Sequence, residues 1–330
     1  MELLAEHAGA VAAHLRRLGW IAAGEDVVGL EVPGQGNMNR LLRVRLPARS
    51  FILKQAVPWV ARYPQIPAPV ERLAAEAAFY RTIEPYPALR LHTPALLGED
   101  PAEHLLCLED LGSQGDLTSI YDSGPTADHE PVLTVLAQWL SELHALPVST
   151  GRIPANDDMR ALNHTHIFEV PFDTDNGVAL SDALRDHQQR LAADEALRAR
   201  ARELGRLYTG AAAHDAAPAL LHGDFYPGSW LPHGERTVAV IDPEFGFAGP
   251  AEFDVGVFMA HLIMAGYPAD AAAGILRGYA APAGFSQALA DAFAGMEVIR
   301  RLLGVAQLPL TAGDDARTSW LGWARMAVTS

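Results

Sequence analysis

Two stretches carry residue types that could do chemistry together. The first is Leu221-His222-Gly223-Asp224, followed closely by Pro227-Gly228-Ser229. A carboxylate in a tight loop between short strands is held rigid yet exposed, which suits an acid or base. Eighteen residues after Asp224 comes Ile241-Asp242-Pro243-Glu244. Two carboxylates two residues apart at a strand end can face one Mg²⁺ ion, which needs few carboxylates when phosphates supply its other oxygens. Either stretch alone reads equally well as an Asx-type turn or a cap; the pair, in this order and spacing, argues for a site.

The second constellation is Gly34-Gln35-Gly36-Asn37, then Lys54, then Glu76. Glycines let backbone N–H groups approach phosphate oxygens closely. A glycine hairpin alone is usually just a turn. Here it precedes the only lysine of the chain, against 24 arginines. A sequence that otherwise uses arginine for every cation keeps one compact ammonium where a planar guanidinium would not serve. Lys54 can bridge phosphates while Glu76 fixes it. No Gly-x-x-x-x-Gly-Lys-Ser/Thr motif occurs, which excludes a Walker-type nucleotide site.

These residues must be positioned by elements, and the pattern divides the chain in two. Residues 3–18 have helical apolar spacing. Residues 27–32, 41–46 and 50–55 read as short strands, 70–83 as a helix and 104–108 as a further strand ending at Glu109-Asp110-Leu111-Gly112. After about residue 113 the chain is mainly helical. Helices are predicted over 132–146, 181–208, 253–264, 269–279, 286–303 and 316–328, with strands at 219–221 and 238–241 flanking the loop 222–231. Residues 149–175 read as a polar, irregular loop. Strands with one helix make the first part a small mixed lobe, and the second part is mainly helical with a strand–loop–strand insert.

Composition narrows the function. The 330 residues are 49% hydrophobic and 20% charged, as in soluble globular proteins. A net charge of −15 argues against nucleic acid or anionic membrane as partners and suits a neutral or cationic small molecule. The lone Cys107 permits no internal disulfide, so a reducing cytoplasm is expected. Residues 1–7 lack the basic and apolar regions of a signal peptide, and 255–267, interrupted by His261, is too short to span a bilayer. A homodimer is one assembly compatible with this reading. His164-Thr165-His166 lacks a third metal ligand and reads as surface loop. Trp320 and Trp323 read as core packing, and His144 as a helix-end cap or packing residue.

At this point the sequence resembles the aminoglycoside phosphotransferase/choline kinase superfamily, and within it the 5-methylthioribose kinases, over about residues 28–308. Gly36-Asn37-Met38-Asn39 and Phe51 to Pro58 are similar to the glycine loop and lysine strand, and Arg72 to Glu76 to the glutamate-bearing helix. Leu108-Glu109-Asp110-Leu111 resembles the hinge. His222-Gly223-Asp224 resembles the superfamily's catalytic loop, while Ser229 and Asp242-Pro243-Glu244-Phe245 resemble the metal-binding positions of the methylthioribose branch. Arg300-Arg301 resembles a paired-arginine helix lining the substrate pocket.

The resemblance implies an α+β, protein-kinase-like two-lobed fold, with ATP and Mg²⁺ as cofactors. A small N-terminal antiparallel-sheet lobe over 1–111 would bind nucleotide, and a larger, mainly helical lobe over 112–330 would carry catalysis and substrate. Asp224, Arg300 and Arg301 would be catalytic, and Asp242, Glu244 and Ser229 would hold the metal. Gly34, Gly36, Asn37, Asn39, Lys54 and Glu76 would serve ATP, with backbone at Glu109 and Leu111 reading adenine. Asp254 would brace the catalytic loop by accepting backbone N–H bonds. Two departures stand out: the chain is shorter than those kinases, and Phe225-Tyr226-Pro227 replaces their usual Leu-His-Thr. The reaction implied is transfer of the γ-phosphoryl of ATP to a small-molecule hydroxyl. A methylthioribose-like sugar is the acceptor expected, with an aminoglycoside, a choline-like amine or another small alcohol as the alternatives. An inactive nucleotide-binding regulator is the alternative of a different class. A protein kinase is disfavoured, because the loop reads His-Gly-Asp and no Asp-Phe-Gly occurs.

Overall fold

The computed structural model describes residues 7–34, 38–148, 153, 155–234 and 237–330. The first lobe runs α1 (Ala8–Arg17), β1 (Gly29–Glu31), β2 (Arg40–Arg45), β3 (Ser50–Gln55), β4 (Trp59–Val60), β5 (Tyr63–Pro67), α2 (Arg72–Ile83), α3 (Pro87–Leu91), β6 (Leu96–Asp100) and β7 (Leu105–Glu109). Five of the strands form an antiparallel sheet in the order β1-β2-β3-β7-β6, while β4 and β5 make a separate hairpin.

Strand alternation decides where Lys54 points. Leu42, Val44, Phe51, Leu53, Leu105 and Cys107 share one sheet face and pack on Val11 and Leu15 of α1. Their neighbours Leu106 and Leu108 face the other way, into the core that includes Leu73, Ala77 and Tyr80 of α2. Lys54 pairs with Leu106 and Leu41 in the ladder. It therefore projects on the α2 side, where Glu76 stands.

The second lobe contains α4 (Ile120–Ser123), α5 (Glu130–His144), α6 (Asp157–Phe168), α7 (Asp182–Ala193), α8 (Glu195–Tyr208), β8 (Ala219–Leu221), β9 (Trp230–His233), β10 (Thr237–Val240), β11 (Phe247–Gly249), α9 (Ala251–Met264), α10 (Ala269–Ile275), α11 (Gln287–Leu303) and α12 (Asp314–Thr329). Every residue of α9 is buried. It is the axis of the lobe, and α11 lies against it. A Cβ at Gly256 would stand 2.6 Å from Ala290 O of α11, so glycine sets how closely the two helices approach. Trp320 and Trp323 of α12 pack on this core.

Several expectations are corrected. Residues 149–175 were expected as irregular loop, yet 157–168 form α6, with Asp157 and Asp158 in its first turn where carboxylates complement the helix dipole. The single helix expected over 181–208 is two. Asp194 leaves the helical region, and its side chain accepts from Leu197 N–H to start α8. The loop expected over 222–231 ends sooner: 230–233 form β9, which pairs with β10, while β8 pairs with β11.

Candidate active site

Lys54 is fully buried in the cleft between the lobes. Its Nζ lies 2.6 Å from Glu76 Oε2 of α2 and 2.6 Å from Asp242 Oδ1, which follows β10. Burial opposes its charge, but Asp242, Glu76 and Glu244 outweigh that and hold the ammonium above its usual range. Burial pushes the Glu76 carboxyl up to about 7, against the pull of Lys54 and with repulsion from Asp242 and Glu244. Glu244 is buried beside them. Its Oε2 accepts from Asn39 Nδ2 (2.8 Å) and lies 3.3 Å from Arg72 Nε. Arg72 also donates to Asn39 Oδ1 and to the Met38 and Val57 carbonyls. Thus α2 fixes the lysine through Glu76 and the acidic turn through Arg72.

The turn itself is unusual. Asp242 adopts φ 61° and ψ 49°, the left-handed region that asparagine and aspartate tolerate best. This aims its carboxylate, 39% exposed, into the cleft while Pro243 opens the turn that carries Glu244.

The loop after β8 is braced from α9. Asp254, buried, accepts the backbone N–H of His222 (2.6 Å) and of Gly223 (3.0 Å). His144 at the end of α5 supports this carboxylate, with Nε2 3.3 Å from Asp254 Oδ2 and Nδ1 2.7 Å from the Tyr279 hydroxyl. Its expected role as a cap or packing residue gives way to that of a hydrogen-bonded prop. His222 is buried, and burial lowers its basicity, so the ring is neutral. It donates from Nε2 to Ile241 O (2.9 Å), tying the Asp224 loop to the Asp242 turn. Gly223 has φ +84°, and any Cβ there would collide with the Phe245 carbonyl. The Ser229 hydroxyl donates to Asp224 O (3.1 Å), closing the loop on itself.

The Asp224 side chain faces α11. Its Oδ1 accepts from Arg301 Nη2 (2.7 Å) and lies 3.4 Å from Arg300 Nη1. Both arginines are buried rather than part of a surface stripe. Two cavities of about 280 Å³ each flank Asp224. One is lined by Gly34, Asn39, Lys54, Ser229, Asp242 and Glu244. The other is lined by Arg300, Arg301, Asn163 and His166, with the β4–β5 hairpin contributing Val60, Arg62, Tyr63 and Ile66. Asp224, Tyr226, Asp116, Met38 and Phe245 belong to both.

The structure thus gathers Asn39, Lys54, Glu76, Asp224, Ser229, Asp242, Glu244, Arg300 and Arg301 in one cleft. Gly36 and Asn37 lie outside the described residues. Neither Glu109 nor Leu111 lines either cavity. The Glu109 N–H donates to Ala95 O and its carboxylate accepts from Ala95 N–H. Asp110 between them anchors the crossover, taking two bonds from Arg43 and one from Ser50. His166, expected on a surface loop, instead lies on α6 facing the second cavity, where burial and Arg300 lower its basicity. Asn163 and Glu297 went unmarked in the sequence. Glu297 had a legible signal: it stands three and four residues before the arginine pair, hence on their helix face.

Asp242, Glu244 and Ser229 offer hard oxygen donors along one cavity wall, the chemistry a small divalent cation takes. Among the described residues no three or more His, Cys, Asp or Glu side chains converge as a metal cage. No helix among them is long and apolar enough to cross a membrane.

A small antiparallel lobe over a helical one, with a lysine–glutamate pair facing two acidic loops across the cleft, defines the kinase-like class of phosphotransferase folds. The phosphotransferase enzyme family profile matches residues 29–290, and the chain belongs to that family. A methylthioribose kinase of Exiguobacterium sibiricum is 31% identical over 270 residues, covering 77% of this chain and 65% of that protein. The chain spans less than two thirds of the length of the curated relatives it matches. Among solved structures, a choline kinase from Streptococcus pneumoniae superposes with a TM-score of 0.56 at 12% identity, covering 97% of this chain and 98% of that one. A spectinomycin phosphotransferase in complex with ADP and spectinomycin gives 0.55 at 11%, covering 99% and 95%. These likenesses establish the two-lobed α+β fold.

Proposed function

We propose that this protein is an ATP-dependent kinase acting on a small-molecule hydroxyl, with a thiosugar of the methylthioribose kind as acceptor. The observation that carries the reading is the position of Asp224 between two cavities, one lined by Lys54 and Asp242, the other by Arg300 and Arg301. In this reading the first holds the triphosphate and the second the acceptor. Asp224 accepts a hydrogen bond from the acceptor hydroxyl, aims its oxygen at the terminal phosphorus and takes up its proton. Lys54, fixed by Glu76, contacts phosphate oxygens. Asp242, with Glu244 and Ser229, holds Mg²⁺, which supplies neutralisation of phosphate charge when bound. Most of the rate comes from positioning and charge neutralisation. Gly34 and Asn39 belong to the nucleotide wall, with Gly36 and Asn37 as further expected members. The division at residues 111 and 112 separates the two roles.

The acceptor class is supported by the second cavity's lining. Its cations, Arg62, Arg300 and Arg301, face the carboxylates Asp116 and Asp224 with Glu297 behind them, so the pocket is balanced in charge rather than acidic. That disfavours a polycationic aminoglycoside despite the chain's overall charge of −15. Val60, Ile66, Val305, Leu308 and Pro309 add apolar wall beside the hydroxyl-binding groups, matching a polyol with an apolar substituent. The relatives named methylthioribose kinase agree with this choice. The test is ADP release across methylthioribose, other pentoses, choline and aminoglycosides. Methylthioribose should give the highest kcat/KM. A higher value for choline or an aminoglycoside would overturn the acceptor, and ATP binding without ADP release on any acceptor would overturn the kinase.

A further inference from the structure

Behind the arginine pair lies a buried polar chain that the phosphotransfer reading does not use. Glu297 sits one helical turn before Arg300 and Arg301 on α11 and is buried. Its Oε1 accepts from Arg301 Nε (2.5 Å) and its Oε2 from Arg300 Nη1 (3.1 Å). His261 of α9 reaches Oε1 with Nε2 (3.1 Å), and its Nδ1 lies 2.6 Å from the Tyr121 hydroxyl of α4. A carboxylate only accepts, so His261 donates from Nε2 and accepts the tyrosine proton at Nδ1. Burial pushes His261 down to about 4, so the ring is neutral and adds no charge. Glu297 and Asp224 then balance Arg300 and Arg301, two against two, in a site shielded from water.

The balance explains why two arginines can face Asp224 without collapsing on it. With Asp224 as their sole counter-charge, both guanidiniums would converge on one carboxylate, and one positive charge would be left over in the interior. Glu297 holds Arg301 by Nε, which leaves Nη2 for Asp224, and shares Nη1 of Arg300 with Asp224, so it fixes where both guanidiniums stand. We propose that Glu297, oriented by His261 and Tyr121, is a positioning residue that aims Arg300 and Arg301 at Asp224 and the acceptor. This rests on the reading of Asp224 as the residue that orients the acceptor.

Glu297→Gln tests it, because an amide cannot accept at both oxygens. Whichever way it turns, an NH₂ meets an arginine donor, and one fork must leave. Steady-state ADP release is measured with methylthioribose and ATP varied separately, on the full chain, alongside acceptor-free crystal structures. In Glu297→Gln, turnover should fall on the order of 100-fold, as for a misaimed reacting group, with KM for methylthioribose raised and KM for ATP unchanged. The crystal structure should show one arginine out of reach of Asp224. Glu297→Asp, which keeps the charge, should recover part of the loss. Tyr121→Phe removes a single hydroxyl at the far end; it should raise the methylthioribose KM a few-fold with the fold intact, and it carries the test if Glu297→Gln does not fold. Wild-type kinetics in folded Glu297→Gln, or in Tyr121→Phe where that variant carries the test, would overturn the proposal. So would an unmoved arginine pair. If the wild-type chain is inert toward methylthioribose, the acceptor assignment falls, and the arginine positions in the crystal structures alone decide the role of Glu297.

Discussion

Lys54 Nζ and Asp242 Oδ1 lie 2.6 Å apart across the cleft, although 188 residues separate them in sequence. This contact joins the small lobe's central strand to the acidic turn of the large lobe. It puts the chain's only lysine among three carboxylates, Glu76, Asp242 and Glu244. An ammonium suits that spot because its three donors point in three directions from one small centre.

Lys54→Arg should therefore fail despite the retained charge. The planar fork is larger and cannot place one atom 2.6 Å from both Glu76 and Asp242. ATP affinity, measured by calorimetry, should weaken, and turnover should fall on the order of 100-fold. Lys54→Met should instead cost stability, about 3 kcal/mol, because Glu76 is left buried without a counter-charge while water still reaches Asp242. Wild-type ATP affinity in the arginine variant would contradict the phosphate-contacting role.

Asp224→Asn should separate binding from chemistry. The amide keeps the shape and one acceptor oxygen but cannot take a proton, so phosphoryl transfer should drop about 10²–10⁴-fold. ATP binding should persist, since Lys54 and the Asp242 turn are untouched. Undiminished ADP release in this variant would remove Asp224 from the mechanism.

Much of the Lys54–Asp242 side of the cleft was legible because rare residue types marked it. A single lysine after a glycine hairpin, and Asp-x-Glu after His-Gly-Asp, stand out against any background. The Arg300–Arg301 side was harder to read. The hairpin of β4 and β5 is only a few residues long and carries Pro64 and Pro67, so no period could reveal it. The helix α6, which carries Asn163 and His166, is polar enough to look like loop. Contacts such as Asn39 with Glu244, 205 residues apart, have no sequence signature at all. The split at Asp194 was in principle readable, since an aspartate before Glu-Ala-Leu is an ordinary N-cap.

Asp254→Asn should loosen the catalytic loop. Asp254 accepts two backbone N–H groups, one on each oxygen. An amide can accept only one, and its NH₂ must then face the other donor. The loss should be about 1–3 kcal/mol, the cost of one buried unsatisfied donor. It should appear as a lower denaturation midpoint with unchanged slope in urea, together with slower turnover as Asp224 drifts. A variant as stable and active as the wild type would show that the brace is dispensable.

The buried histidines should cost the fold stability in acid earlier than carboxylate protonation alone would. His261 is buried and neutral, and burial pushes it from the ordinary 6.5 down to about 4. Burial likewise lowers His222 and His166. In the unfolded chain these rings bind protons as the pH drops below about 6.5, while the folded protein declines them. The contribution of His261 is therefore fully present above 6.5 and is lost as pH falls through that value towards 4, at up to about 1.4 kcal/mol per pH unit, and His222 and His166 add losses of the same sign. Below the carboxylate range Glu297 adds to the loss. Burial works against its charge, but Arg300 and Arg301 hold it well below the usual value. Glu76, pushed up to about 7, and Glu244, also raised by burial, take up protons in the folded chain over the same range and work the other way. The difference between two proteins is therefore what reads His261. From pH 7.5 to 5.0 the urea midpoint of His261→Gln, which cannot take up a proton in either state, should lose less, or gain more, than that of the wild type. Equal slopes for the two proteins would mean that the Tyr121–His261–Glu297 chain is not held in its uncharged-histidine form.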